Sequence, residues 1–290
     1  MPKNMKTYVL VGLAGLLVLA GLGFYALNRS ASGIPAFYVW KTFSSAAHGA
    51  ERAEVNGISL YYETFGNPEA PPVLVLHGGT GFIESMHYQI TALAPAHFVV
   101  APDSRAHGRS TDTDAPLTYR QMADDMLALM DRLGIERADV VGWSDGGIIG
   151  LILAMENPGR VRRVVAIGAN YNVAGLSSPP PDDVRVLDAS PARDFYINMA
   201  PEPSRWPVFA AKVLEMWRTQ PDYDAADLAK IAAPVLVMAG ERDSIRRSHT
   251  EEMASSIPLG RLDIVEGASH FAPLEKPERV NGAILSFLSE

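Results

Sequence analysis

The sequence predicts an α/β protein: a mostly parallel, doubly wound sheet with a small helical insertion, preceded by one N-terminal transmembrane helix. Three observations carry this. From Glu54 onward, short apolar runs alternate with amphipathic segments, as βαβ units require. The alternation breaks once, over 171–231, a stretch too long for an ordinary connection in a compact domain. Finally, Tyr8–Leu27 (YVLVGLAGLLVLAGLGFYAL) carries no charge, and about 20 helical residues span the roughly 30 Å of bilayer hydrocarbon.

Lys3 and Lys6 precede that run and favour a cytoplasmic N-terminus, which places the remainder of the chain on the extracytoplasmic, periplasmic side. The alternative is a signal peptide cleaved near Ser30-Ala31-Ser32, giving a secreted protein. Such peptides have apolar cores of about 7–15 residues, and this run is longer. The expected organisation is a signal-anchor over 1–30, a linker over 31–53 and a globular domain over 54–290. An apolar patch, Phe37 to Trp40, lies within the linker. The chain has no cysteine, which removes disulfides, thiolate metal sites, a cysteine nucleophile and a lipoprotein anchor. Its net charge of −8 argues against a nucleic-acid partner.

Within the domain, Glu54–Phe65 with Asn56-Gly57 at its turn reads as an opening hairpin. Val73–Leu76 is a buried strand ending at His77-Gly78-Gly79. Phe98–Ala101 is another, followed by the loop DSRAHGRS (103–110). Tyr119–Leu133 places Met122, Met126, Leu127, Met130 and Leu133 at helical spacing, with Gly134 as the stop. These methionines read as core. Strands follow at Asp139–Gly142, Val161–Gly168, Val235–Ala239 and Leu262–Val265, with helices at Gly146–Asn157 and Pro277–Leu288. The insertion contains Pro179-Pro180-Pro181 and helical segments at Ala192–Met199 and Trp206–Trp217, and is read as a lid.

Gly142-Trp143-Ser144-Asp145-Gly146 falls between a strand and a helix. In that context G-x-S-x-G is a nucleophile elbow: only small flanking residues fit the turn, and the serine oxygen is lifted to a helix N-terminus. A serine hydroxyl needs a base to take its proton. His270, after the last strand, fits that role, and Asp243, after the preceding strand, fits as the acid that orients it. Glu241 is the fallback acid and His107 the fallback base. The backbone N–H of Asp145 is one expected oxyanion donor. The other comes from the loop after Val73–Leu76, at Gly79 or, alternatively, Thr80. His77 is expected to support that loop by hydrogen bonding. The Asp145 carboxylate is expected on the surface at the helix N-terminus; the alternative turns it into the pocket, where it would attract a cationic substrate such as an amino-acid ester. His48, His77, His87, His97, His107 and His249 show no ligand spacing with carboxylates, so no metal is implied, and no phosphate loop or dinucleotide fingerprint implies a cofactor.

The segments HGG, DSRAHGRS, VVGWSDGGIIGL and MAGERD…EGASHF resemble the α/β-hydrolase superfamily, over roughly four-fifths of the chain from Glu54 onward. GWSDGG followed by VRRVVAIGAN is similar to the branch of valacyclovir hydrolase-like esterases and enol-lactonase-like enzymes. The resemblance implies an α/β-hydrolase fold and a small-molecule ester or lactone as substrate, cleaved through an acyl-enzyme on Ser144. Ser144 argues against haloalkane dehalogenases and epoxide hydrolases, which carry aspartate there. The same triad could serve amide or C–C hydrolysis, or perhydrolysis. A non-catalytic, membrane-anchored binding protein is a further alternative, although such proteins typically lose a triad member and none is missing here.

Overall fold

The structure, a computed structural model, describes residues 34–290. The expected span Tyr8–Leu27 lies outside the described residues. Among the described residues no helix is long and apolar enough to cross a membrane. The described residues fall into two units, the first ending at Ser45 and the second running from Ala46 to Glu290. In the first, Ile34–Phe43 forms helix α1, in which the rings of Phe37 and Trp40 stack at 5.7 Å. The stretch 31–53, expected as a linker, therefore contains a helix. It also contains most of the first strand, β1 (Ala47–Val55), so the sheet begins before Glu54. AHGAERAEV has no readable alternation because this edge strand buries only Ala53 and Val55.

The second unit is built on one eight-stranded sheet. β1 turns at Asn56-Gly57 into β2 (Ile58–Phe65). Both turn residues have positive φ, 44° and 80°, the backbone a tight hairpin demands and an Asn-Gly pair tolerates. Next come β3 (Pro72–Leu76), helix α2 (His87–Leu93), β4 (Phe98–Pro102), helix α3 (Tyr119–Arg132), β5 (Ala138–Trp143), helix α4 (Asp145–Glu156) and β6 (Val161–Ile167). The insertion then supplies α5 (Arg185–Asp188), α6 (Pro191–Met199), α7 (Trp206–Thr219) and α8 (Ala225–Leu228). The sheet resumes with β7 (Val235–Arg242), α9 (Arg247–Ser256), β8 (Gly260–Ser269), α10 (Ala272–Glu275) and α11 (Pro277–Leu288).

The spatial order is β1-β2-β4-β3-β5-β6-β7-β8. β1 and β2 pair antiparallel, as do β2 and β4; every other pairing is parallel. The central strands are covered on both faces and so read as continuous apolar runs: all of β5 is buried, as is β3 after Pro72. Met122, Met126 and Met130 of α3 are core residues, as expected. β8 is the far edge, and Arg261, Leu262, Glu266 and Gly267 are exposed along it.

From β3 the chain steps outward to β4 and then returns to β5 on the other side of β3. At such a switch point the connecting loops diverge, leaving a crevice beyond the carboxyl ends of the strands. The 103–110 loop beside that crevice is held by Arg105, one of the largest fully buried side chains. Its guanidinium binds both carboxylate oxygens of Asp125 on α3 at 2.6 Å, and Asn56 Nδ2 donates to Asp125 Oδ1 at 3.0 Å. Removing one partner of a buried, hydrogen-bonded ion pair strands the other charge away from water. Asp125→Ala should therefore lower stability by about 3–5 kcal/mol in urea unfolding, and Arg105→Met on that background should restore most of the loss.

Candidate active site

The elbow joins β5 to α4 at Ser144, whose backbone sits at φ 53°, ψ −118°. Side chains other than glycine rarely adopt this region, and such strain persists only where the surroundings enforce it. The enforcement comes from close approach. A Cβ on Gly142 would stand 2.2 Å from the Gly146 carbonyl oxygen, and one on Gly146 would stand 2.3 Å from that of Leu76. Both glycines of the motif are thus required sterically by how tightly β3, β5 and α4 pack.

The three residues expected to act together are brought together. His270, directly after β8, places Nε2 3.0 Å from Ser144 Oγ and Nδ1 2.7 Å from Asp243 Oδ1. Asp243, just beyond β7, also accepts from the backbone N–H groups of Ile245 (3.0 Å) and Gly240 (3.3 Å). Burial alone would raise its carboxyl; the hydrogen bond and charge of His270, with these amides, hold it below the ordinary carboxylate value. A carboxylate on Nδ1 fixes the tautomer that leaves Nε2 facing the serine oxygen. Gly168, at the end of β6 with φ 60°, makes room for the ring: a Cβ there would meet the imidazole at 3.0 Å.

The fallback residues lie elsewhere. Glu241 is exposed and accepts from Gly267 N at 2.8 Å. His107 is buried, and its Nδ1 bonds the Arg105 carbonyl at 2.9 Å. Burial holds its pKa down at about 4, so it is neutral. His77 supports the neighbouring loops, as expected: Nε2 accepts from Ser104 N at 3.0 Å, so Nδ1 carries the proton and donates to Gly78 O at 2.7 Å. Burial, then the adjacent His107, lowers its pKa to about 3.

The backbone groups expected to face the oxyanion lie where the loop after β3 meets the start of α4. As the first residue of α4, Asp145 has a backbone N–H without an intrahelical acceptor. A Cβ on Gly78 would lie 3.1 Å from Ser144 Cβ, and Gly79 and Thr80 follow, Thr80 in the left-handed region at φ 57°. The surface position expected for the Asp145 side chain is not what is found. The carboxylate is buried beneath the lid: Oδ1 accepts from the Tyr119 hydroxyl at 2.9 Å, and Trp217 Nε1 donates to Oδ2 at 3.0 Å and Oδ1 at 3.2 Å. The surface reading fails because the lid, which contributes Trp217, covers this helix end.

Sequence reasoning also missed Trp143. Its indole N–H donates to the His270 carbonyl at 2.8 Å, and its ring packs edge-on against Phe271 at 5.5 Å, bracing the backbone that carries His270. An indole inside the elbow motif was the available signal.

A serine, an imidazole and a carboxylate in relay, at the strand ends of such a sheet, define an enzyme of the hydrolase class. Residues 73–283 match the alpha/beta hydrolase family, and the chain belongs to that family. It is 32% identical over 270 residues to a putative carbamate hydrolase of Caulobacter sp. (strain K31), covering 79% of this chain and 96% of that one. It is 28% identical over 295 residues to serine hydrolase BPHL of Homo sapiens, covering 93% and 99%. Among solved structures it is similar to the enol-lactonase from Burkholderia xenovorans LB400, with a TM-score of 0.67 and 25% identity over 83% of this chain and all of that one.

Burial raises the Asp145 carboxyl above its ordinary 3.8, against the hydrogen bonds from Trp217 and Tyr119, which pull it down. A carboxyl whose folded value is raised contributes stability below its unfolded value and loses it as pH rises through the folded one. Asparagine at this position does not titrate. The melting temperature of Asp145→Asn, relative to the wild type, should therefore climb as pH is raised from 4 to 7.

Proposed function

We propose that this enzyme hydrolyses carboxylic esters or lactones through an acyl-enzyme on Ser144. The observation that carries the reading is the 3.0 Å approach of His270 Nε2 to Ser144 Oγ, with Nδ1 held by Asp243. As Oγ attacks the carbonyl carbon, His270 takes its proton, and Asp243 stabilises the imidazolium that forms. The negative charge developing on the carbonyl oxygen meets the N–H of Asp145 and that of Gly79, with Thr80 as the alternative to Gly79. His270 then protonates the leaving alkoxide. Water, deprotonated by the same imidazole, releases the acid and restores Ser144. The likeness to an enol-lactonase and to a serine hydrolase supports this chemistry.

A second reading, carbamate hydrolysis, is favoured by the 32% identity to a putative carbamate hydrolase. It uses the same attack and differs in the acyl group, which would leave a carbamoyl-enzyme on Ser144 in place of an acyl-enzyme, so a panel of lactones, and of esters and carbamates sharing one leaving group, separates the two. Ser144→Ala should lower kcat on p-nitrophenyl acetate by on the order of 10⁴- to 10⁶-fold in a folded protein. Asp243→Asn should cost less, on the order of 10⁴-fold at most, because the imidazole keeps a neighbour of the wrong hydrogen-bonding sense. An unchanged kcat in Ser144→Ala would refute the reading, as would failure of a fluorophosphonate to label Ser144.

We further propose that Tyr8–Leu27 anchors the enzyme in the membrane with its catalytic domain on the extracytoplasmic side. The support is the uncharged run itself, preceded by Lys3 and Lys6. The full chain should fractionate with membranes, and protease added to spheroplasts should digest the catalytic domain. Protection would place that domain in the cytoplasm, and a mature chain beginning near Gly33 would mean a cleaved signal peptide and a secreted enzyme.

A further inference from the structure

The Asp145 carboxylate is a costly group to have next to a nucleophilic serine. Its backbone N–H is suited to receive the oxyanion, while its side chain is an acid buried under the lid. A negative charge here opposes the one that develops on the substrate oxygen. Yet the surroundings do not expel it. They supply two donors from two different elements, Tyr119 of α3 and Trp217 of α7. Oδ1 alone accepts from both, at 2.9 Å and 3.2 Å.

The position of Gly79 adds the second half of the observation. A Cβ built on Gly79 would stand 2.4 Å from Asp145 Oδ2 and 2.5 Å from the Trp217 ring. The carboxylate and the indole therefore occupy the space that a side chain at 79 would need, and they form the surface on which the loop after β3 rests. One carboxylate thus touches the loop carrying the second oxyanion donor, the lid helix above it and the helix α3 beside it. It belongs to the residue that carries the first donor. An oxyanion hole works only if its donors stand in place before charge develops, because any reorganisation is subtracted from the stabilisation they give.

We propose that the Asp145 side chain is a positioning residue for the oxyanion hole, clamping lid helix α7 and the Gly79 loop to the nucleophile elbow through Trp217 and Tyr119. It acts through the backbone it holds, not by touching substrate. The lid is then part of the catalytic framework, since its Trp217 is one end of the clamp. The role also explains why an acid is suited to the position: a single carboxylate oxygen can accept from an indole and a phenol at once, which an alkyl side chain cannot do. The proposal rests on the acyl-transfer reading of Ser144.

The test compares Asp145→Ala, Asp145→Asn, Trp217→Phe and Tyr119→Phe in the full chain. Asparagine keeps Oδ1 as an acceptor, and the other three each remove part of the clamp. On p-nitrophenyl acetate, Asp145→Ala should lower kcat by about 10- to 100-fold with KM within about threefold of the wild type. Asp145→Asn should recover most of that loss, and Trp217→Phe and Tyr119→Phe should fall between. Affinity for a boronic acid, which forms a tetrahedral adduct on Ser144, should decline in step with kcat/KM. The indole N–H resonance of Trp217, identified by its disappearance in Trp217→Phe, should move upfield in Asp145→Ala and stay near its place in Asp145→Asn. That readout does not depend on what the enzyme turns over, so a wild type that is inactive on esters would count against the proposed reaction while the resonance still tested the clamp. Three results would overturn the proposal: an unmoved indole resonance in Asp145→Ala, a wild-type kcat in that variant, or a defect confined to KM and growing with positive charge on the substrate. The last would make Asp145 a substrate-binding group. If Asp145→Ala does not fold, a wild-type kcat in both Trp217→Phe and Tyr119→Phe overturns it equally.

Discussion

The close approach of β5 and α4 to β3 governs the site. Gly142 and Gly146 let the backbone fold back within contact of the Leu76 carbonyl, and Ser144 is left in a conformation the chain would otherwise avoid. From that one turn follow the placement of Oγ at the strand ends within reach of His270, the N–H of Asp145 at the head of α4, and the contact between Gly78 and the serine. A larger residue at either elbow glycine would push α4 outward and take the Asp145 N–H with it. The sheet order sets where this turn opens, because β4 and β5 lie on opposite sides of β3 and the loops that follow must part.

Around this turn the polar groups are buried in pairs and chains. His77 joins the loop after β3 to Ser104, Arg105 ties the 103–110 loop to α3, and Asp103 accepts from the backbone N–H groups of Ile83 and Arg109 at 2.8 Å. The lid is tied in the same manner. On α7, Lys212 meets the buried Asp112 at 3.0 Å, and Trp217, farther along the helix, meets Asp145. A buried charge that loses its partner is far costlier than an exposed one, so these contacts fix the geometry of loops that have little apolar surface of their own. Lid helix α7 is thus held at two points to the body of the enzyme.

Much of this was legible in the sequence, and for identifiable reasons. Buried parallel strands must be apolar on both faces, so β3, β4, β5, β6 and β7 stand out. The elbow glycines, the order Ser144, Asp243, His270 and the closing helix Pro277–Leu288 could be read from chain order alone. What escaped was short, polar or long-range. In α9 the core-facing positions include His249 and Thr250, which blur the helical period, and β1 buries too little to alternate. The environment of Asp145 was misjudged because its partners lie 26 and 72 residues away, on a helix whose packing and a lid whose path no local pattern reveals. A helix N-terminus reads as a surface; here a second layer covers it.

The sheet also has to end somewhere, and β8 shows how. Its outer side offers unpaired backbone groups to any extended chain that drifts alongside, which is how sheets of neighbouring molecules fuse into aggregates. Along that border the sequence places Arg261, Asp263 and Glu266. Arg261 reaches the terminal residue Glu290 at 2.7 Å, and Arg279 of α11 reaches Asp263. Charged side chains already engaged with the molecule's own C-terminal helix and terminus are poor company for an incoming strand. The same ion pairs that look negligible for stability at an exposed site thus leave this border charged, and a charged border disfavours edge-to-edge pairing of sheets.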